Sequence, residues 1–230
     1  MQHLHFDELP SSNDYAKAHF RELEDLTFVS ASFQSAGKGR LGRRWSAHKG
    51  ENLLFSITIK NRPMIDSGPF LSLVAAVAVT SVLEEEYGIH ASIKWPNDVY
   101  VNGRKICGIL LEAEGSDCLV IGIGINVNQT EFDGEYRIPP TSLACMLGHL
   151  VDLEAFREKL FNKLESALVH HMEKNRFLDA YREHDFLKGK KVSYEGETYI
   201  VEGVDDSFSL LLRGSNGIRP VISGEINLLP

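Results

Sequence analysis

KWPNDVYVNGRKICGILLE, residues Lys94 to Glu112, is the stretch on which the fold turns. Asn102-Gly103 is a favoured two-residue type I′ turn, because both positions tolerate positive φ. Val99-Tyr100-Val101 on one side and Ile106 to Leu111 on the other are rich in strand formers. The pattern predicts an antiparallel hairpin within Ser92 to Glu114. The turn sets its register, with Val101 facing Arg104, Tyr100 facing Lys105 and Asp98 facing Cys107. Alternation then puts Asp98, Tyr100, Lys105 and Cys107 on one face. Two readings of Asp98 and Lys105 follow: a surface ion pair worth at most ~1 kcal/mol, or a lysine aimed into a pocket beside a carboxylate that holds it or a metal.

Outward from the hairpin, Cys118 to Val127 reads as a strand with Leu119, Ile121, Ile123 and Ile125 on one face. Its other face, Val120, Gly122, Gly124 and Asn126, is bared by glycines, so that something can approach the backbone. Gly122-Ile-Gly-Ile-Asn126 is not a dinucleotide fingerprint, since a third glycine and a following helix are missing. A sheet edge near Gly122–Val127 would support a homodimer. Leu53 to Ile59 and Thr27 to Gln34 are further strands, the latter with Phe28, Ser30, Ser32 and Gln34 forming a partly polar face suited to a pocket wall. His3 to Leu9 is a short strand. Ser11-Ser12-Asn13 opens a helix predicted to run to Glu24; capping is its ordinary role, and its free N–H groups also suit an anion. Phe70 to Tyr87 is predicted as a helix stopped by Gly88, Leu153 to Asn175 as a long helix and Phe177 to His184 as a short one. After Leu187 the chain changes to short strands, Lys191–Tyr194, Thr198–Val204, Ser209–Arg213 and Ile218–Ile222, punctuated by turns. These predict a small β-barrel of SH3-like size.

Ser35 to Glu51 lacks clear periodicity over 17 residues, a loop length that is usually functional or disordered. Within it, Gly37-Lys-Gly-Arg-Leu-Gly-Arg-Arg-Trp45 packs four cations and three glycines into nine residues. Glycines let backbone N–H groups turn towards an anion, and Lys and Arg add charge and forked hydrogen bonds. The segment is not a Walker loop. On composition alone it is an anion holder, a solvated basic turn or a binder of RNA backbone. Residues 128 to 141 form a second long loop.

The chain as a whole is acidic, with a formal net charge of −8, so any anion must be held by a local cluster of cations against the general field. With 43% hydrophobic residues it has a core's worth of apolar side chains. Three cysteines, Cys107, Cys118 and Cys145, form no CxxC pair, which favours a reducing compartment over a disulfide framework. Met1 to Pro10 does not read as a signal peptide, and Leu71 to Val82 is too short to cross a membrane; a cytoplasmic location is expected. Neither a metal-binding histidine spacing nor a G-x-S-x-G elbow is present, and His170-His171 reads as a solvated helix face. Any catalysis is expected to rest on positioning and electrostatics.

In this order the segments resemble the biotin protein ligase family. The resemblance rests on Ser11-Ser12-Asn13, Gln34 with GKGRLGRRW, KWPNDVYVNGRKICGILLE, GIGIN and the C-terminal barrel, and covers nearly the whole chain. It implies an α+β fold, a mixed β-sheet packed with helices over residues 1–186, followed by an SH3-like β-barrel over 187–230. It also implies two reactions: biotin and MgATP give biotinyl-5′-AMP and pyrophosphate, then a lysine of a biotin carboxyl carrier protein takes the biotinyl group. Carried over by motif, Ser11, Ser12, Asn13 and Gln34 contact biotin's ring system. Gly37, Lys38, Gly39, Arg40 and Gly108 line the rest of its pocket, and Lys105 meets its carboxylate. Arg43, Trp45, Asn97, Asp98 and Asn126 fall on the nucleotide side. Arg40, Lys105 and Asp98 are the catalytic candidates, Asp98 as a Mg²⁺ contact or as acceptor of the carrier lysine's proton. The two long loops would order over the adenylate and exclude water.

Lys38 stands where the commoner family form has arginine, and Leu229 stands where some members carry a cation. The family's transcriptional repressors carry a helix-turn-helix domain before the catalytic part, and none fits before His3; with the net acidity, no DNA partner is expected. A lipoate ligase is the neighbouring reading, disfavoured by the missing arginine-rich and triple-glycine pattern. An RNA-binding module is the reading from another class, disfavoured by overall acidity.

Overall fold

The computed structural model describes residues 2–134, 136 and 139–229. Residues 135, 137 and 138 of the second long loop lie outside them.

Seven strands form one sheet in the order β1-β2-β3-β7-β6-β5-β4. They are β1 His3–Leu9, β2 Phe28–Gln34, β3 Asn52–Ile59, β4 Ser92–Lys94, β5 Asp98–Val101, β6 Arg104–Glu114 and β7 Cys118–Asn126. Only β1 and β2 run parallel, so the sheet is mixed and the fold is α+β, as expected. Strand alternation sorts side chains between two cores. Leu53, Phe55, Ile57 and Ile59 of β3 join Leu119, Ile121, Ile123 and Ile125 of β7 in the large core, which α3 (Phe70–Tyr87) and α5 (Leu153–Val169) cover. Helix α3 is buried on nearly every side, because the sheet, α5 and α6 (Lys174–Glu183) surround it. On the opposite face the short α1 (Ser12–Ala18) covers a small core of Leu9, Ala16, Leu23, Val29, Ala31, Cys118 and Val120.

The C-terminal strands β8 Lys191–Tyr194, β9 Glu197–Val204, β10 Leu210–Gly214, β11 Gly217–Val221 and β12 Asn227–Leu228 form a five-stranded antiparallel sheet that fits a small SH3-like unit. Its apolar residues are continuous with the large core. The Trp95 indole N–H donates to the Phe208 carbonyl at 3.1 Å, tying this sheet to the KWPND segment.

Several expectations are corrected. Helix α1 ends at Ala18, because His19 to Leu26 turns back to drop Leu23 into the small core. The long C-terminal helix breaks at His170–Glu173 into α5 and α6. There His171 is 4% exposed, not solvated, with its ring bonded to the Leu168 carbonyl. Short helices α2 (Arg62–Ser67) and α4 (Leu143–Leu147), capped by Asn61 and Ser142, add to the elements expected. β7 is flanked by β3 and β6, so it offers no edge and that basis for a dimer disappears. A bulge next to Val99/Tyr100 shifts the hairpin, so Asp98 pairs with Gly108 and Val99 with Cys107. The extra residue lets Ile106 and Cys107 both turn into the core. Cys107 therefore leaves the face that Asp98 and Lys105 share, and burial pushes its thiol pKa well up. On β2, Ser30 is no pocket wall: its hydroxyl meets His3 and His5 of β1, and Ser32 meets His5.

Candidate active site

The face of the sheet that carries α1 holds a cavity of about 350 Å³. Its floor is β7 and β6, stripped of side chains at Gly122, Gly124 and Gly108. Each glycine is required by a close approach. A methyl group on Gly122 would lie 2.2 Å from Asn13 Oδ1; on Gly124 it would lie 2.6 Å from the Trp45 ring; on Gly108, 2.8 Å from the same ring.

Every residue proposed from the sequence lies on this cavity. Ser11, Ser12, Asn13 and Gln34 close one end. Ser11 is the N-cap of α1, its hydroxyl accepting from the Asp14 N–H. The Ser12 N–H donates to Gln34 Oε1 at 3.0 Å, and Ser12 and Ser56 hydroxyls sit 2.7 Å apart. Ser12, Asn13 and Ser56 are buried. Their ordering rests on α1 docking across β3 and β7, which no local sequence signal specifies.

Gly37, Lys38, Gly39, Arg40, Arg43 and Trp45 form the roof. The segment is a miniature hairpin: the Trp45 N–H donates to the Gly37 carbonyl at 2.9 Å, the Gly39 N–H to the Arg43 carbonyl at 2.8 Å, and Lys38 bridges Arg44. Its turn is a single 3-10 turn, Arg40–Gly42, with Leu41 and Gly42 at positive φ. The Gly39 N–H is thus spent inside the hairpin and does not face an anion, contrary to expectation. Lys38 reaches Asp14 of α1 at 2.6 Å. Burial of Asp14 acts against its charge, but Lys38 and Lys17 outweigh this and lower its pKa. Arg40 donates to Asn97 Oδ1 at 3.1 Å and to the Gly224 carbonyl at 3.2 Å. Arg43 pairs with Glu225, whose pKa this hydrogen bond lowers. The roof is therefore pinned on one side by α1 and on the other by the C-terminal sheet.

The third wall is the hairpin. Lys105 Nζ lies 2.8 Å from Asp98 Oδ1, both half-buried, and 5.4 Å from the Trp45 ring centroid. The sharper of the two sequence readings thus holds: the lysine points into the cavity with its carboxylate. Tyr100 stacks on Phe186 at 4.9 Å, and burial pushes its hydroxyl pKa up to about 12. Asn97 is braced by Ile109, accepting its N–H at 2.9 Å and donating to its carbonyl. Asn126 Nδ2 donates to the Thr141 carbonyl at 3.0 Å, and the Thr141 N–H to the Lys105 carbonyl at 2.9 Å. The two long loops also touch directly, through His48 N–H to Gln129 at 3.2 Å and the His48 ring to Asp133 at 3.2 Å.

Sequence reading missed Ser56, Glu112, Gly224 and Glu225. Glu112 had a signal, since it continues the cavity face of β6 after Gly108 and Leu110. Gly224 and Glu225 had none, being brought in by the C-terminal sheet.

A cation-lined cavity opposite a polar, neutral end suits an enzyme that brings a carboxylate to a phosphate, and the architecture around it is that of the biotin- and lipoate-attaching ligases. The model of the "Biotin/lipoate A/B protein ligase family" matches residues 6–127, and the chain belongs to that family. A solved biotin protein ligase from Aquifex aeolicus, in complex with biotin and ATP, has a TM-score of 0.89 at 30% identity over 99% of this chain and 98% of its own. The biotin–[acetyl-CoA-carboxylase] ligase of Paracoccus denitrificans is 33% identical over 89% of this chain and 91% of its own. The bifunctional ligase/repressor BirA of Bacillus subtilis is 31% identical over 99% of this chain and 74% of its own.

Proposed function

We propose that this enzyme activates biotin with ATP as biotinyl-5′-AMP and transfers the biotinyl group to a lysine of a biotin carboxyl carrier protein. The observation that carries this is the convergence of Lys105, Arg40 and Lys38 on the same cavity as the polar end at Ser12, Asn13 and Gln34. A neutral, hydrogen-bonding ring and a carboxylate tail match those two ends.

In the first step a carboxylate oxygen attacks the α-phosphorus and pyrophosphate leaves, so two anions must meet. Lys105 and Arg40 reduce their repulsion and stabilise the charge that builds up; removing one such donor lowers rate by ~10²–10³. MgATP is the substrate, and Asp98, which pairs with Lys105 on the cavity wall, would be the magnesium contact once it releases that lysine. In the second step the carrier's amine attacks the mixed anhydride and AMP leaves; Asp98 is the group available to take the amine's proton. Arg43, Trp45, Asn97 and Asn126 serve the nucleotide. Residues 1–186 form the catalytic unit and 187–230 brace its roof. The net charge of −8 disfavours a DNA partner. Among the described residues no helix is long and apolar enough to cross a membrane.

Biotin-dependent exchange of pyrophosphate into ATP tests this. Exchange with biotin is expected. Exchange with lipoate but not biotin would select the neighbouring ligase, and exchange with neither would sink both.

A further inference from the structure

Behind the polar end of the cavity runs a chain of hydrogen bonds whose direction is set by a residue outside the cavity. Glu112 Oε2 receives Asn13 Nδ2 at 2.7 Å, and Glu112 Oε1 receives Lys17 Nζ at 2.9 Å. Burial of Lys17 acts against its charge, but Glu112 and then Asp14 outweigh this, and its pKa is raised. An ionised carboxylate only accepts. Asn13 must therefore present its NH₂ to Glu112, which turns Oδ1 towards Ser56. Oδ1 also only accepts, so the Ser56 hydroxyl donates to it. Ser56 then has no proton for Ser12, and the 2.7 Å contact between them is Ser12 donating to Ser56. Ser12 Oγ in turn accepts from Gln34 Nε2 at 3.3 Å. Ser12 has spent its proton and keeps one lone pair, while Gln34 keeps one N–H.

We propose that Glu112 is a positioning residue that fixes the hydrogen-bond polarity of the cavity's polar end, so that Ser12 offers an acceptor and selects a ring carrying N–H groups. This rests on the biotin reading above. A cyclic urea supplies both the N–H for Ser12 and a carbonyl for Gln34. A dithiolane supplies neither and leaves buried groups unpaired, which is the form of discrimination that binding achieves best.

Reversing the chain tests it. In Glu112→Gln, Lys17 can only donate and claims the oxygen of the introduced amide, leaving that amide's NH₂ to face Asn13. Asn13 then flips, Ser56 donates to Ser12, and Ser12 aims its proton at the cavity. The KM for biotin in pyrophosphate exchange should rise by about tenfold or more, with kcat within about threefold, because the ring end is remote from the reacting carboxylate. Adding Lys17→Met frees the introduced amide's oxygen for Asn13 and should bring KM back to within about threefold of wild type. Lys17→Met alone should change little. A purely structural ion pair predicts the opposite, with the second substitution neutral or harmful. An unchanged KM in E112Q, or a double variant no better than E112Q, would overturn the proposal. Wild-type exchange with biotin tests the underlying reading separately. A readout free of that reading is the Asn13 side-chain amide in ¹⁵N–¹H spectra of the ligand-free protein. Its carboxylate-bonded proton should stand at low field in wild type, move upfield in E112Q and come part of the way back in the double variant, where a neutral amide oxygen takes the carboxylate's place; no movement in E112Q would equally overturn the proposal.

Discussion

Gly124→Ala is the sharpest test of how the roof is held. The added methyl would stand 2.6 Å from Trp45 Cε2, 2.8 Å from Nε1 and 2.9 Å from Cζ2. Carbon atoms in contact sit about 3.5–4.0 Å apart, so the indole must lift by roughly 1 Å. The strand cannot yield, because β7 is hydrogen-bonded to β3 and β6 on both sides. The roof hairpin yields instead, and Trp45 carries Gly37, Arg40 and Arg43 with it through the hairpin's own bonds. A misplacement of about 1 Å at a reacting centre costs on the order of 10² in rate, or about 2.7 kcal/mol of barrier. Stability should change by only about 1 kcal/mol, since overpacking is relieved by a surface hairpin and alanine costs less chain entropy than glycine in a strand. The assay is steady-state biotin-dependent exchange alongside a thermal melt. Trp45→Leu removes Cε2, Nε1 and Cζ2, the atoms that collide, so the double variant should be about tenfold better than the product of the single effects. Exchange by G124A within about threefold of wild type, or strict additivity in the double variant, would refute the reasoning.

Phe161 packs on Phe28 and Phe55 with ring centroids at 4.4 and 4.8 Å, so Phe161→Ala should lower unfolding free energy by about 3–5 kcal/mol in denaturant melts; a loss under about 1 kcal/mol would contradict the core described. Lys38→Arg should leave exchange within about threefold, because Lys38 serves as a charge on Asp14 in an exposed pair; a large gain would mean that fork geometry is what the position lacks. The His48 pKa is raised above 6.5, first by its hydrogen bond to Asp133 and, against a small burial effect, by Glu51. The stabilisation from the charged His48–Asp133 pair between the two loops is therefore fully present below pH 6.5 and is lost as pH rises through the raised value, while the His48 N–H bond to Gln129 stays. Amide exchange near His48 and Gln129, corrected for its intrinsic pH dependence, should be more protected at about pH 6 than at about pH 8, and Asp133→Asn should abolish most of that difference.

Much of the site was legible because its signals are local. A two-residue turn dictates a hairpin, a run of glycines and cations dictates a tight basic segment, and alternation dictates which face of β7 is bare. The hairpin reading went astray at Asp98 because a bulge adds a residue without leaving a mark in a run of apolar side chains. The roof segment reads from its residues as an anion holder, a solvated basic turn or a binder of RNA backbone, and the use of the Gly39 N–H depended on how the segment folds on itself. The edge assigned to β7 failed because strand order is set by packing across the whole sheet.

The sequence by itself determined most of the strands, the helix Phe70–Tyr87, the family and the cavity residues that lie within its local motifs, since each depends on spacing along the chain. Tertiary structure alone decided their coupling. It brought Glu112 to Asn13 across 99 positions and Gly224 to Arg40 across 184, and it set Trp45 on two bare glycines. Hydrogen-bond direction and steric contact act over a few ångströms of space, and only the folded chain brings such distant residues that close.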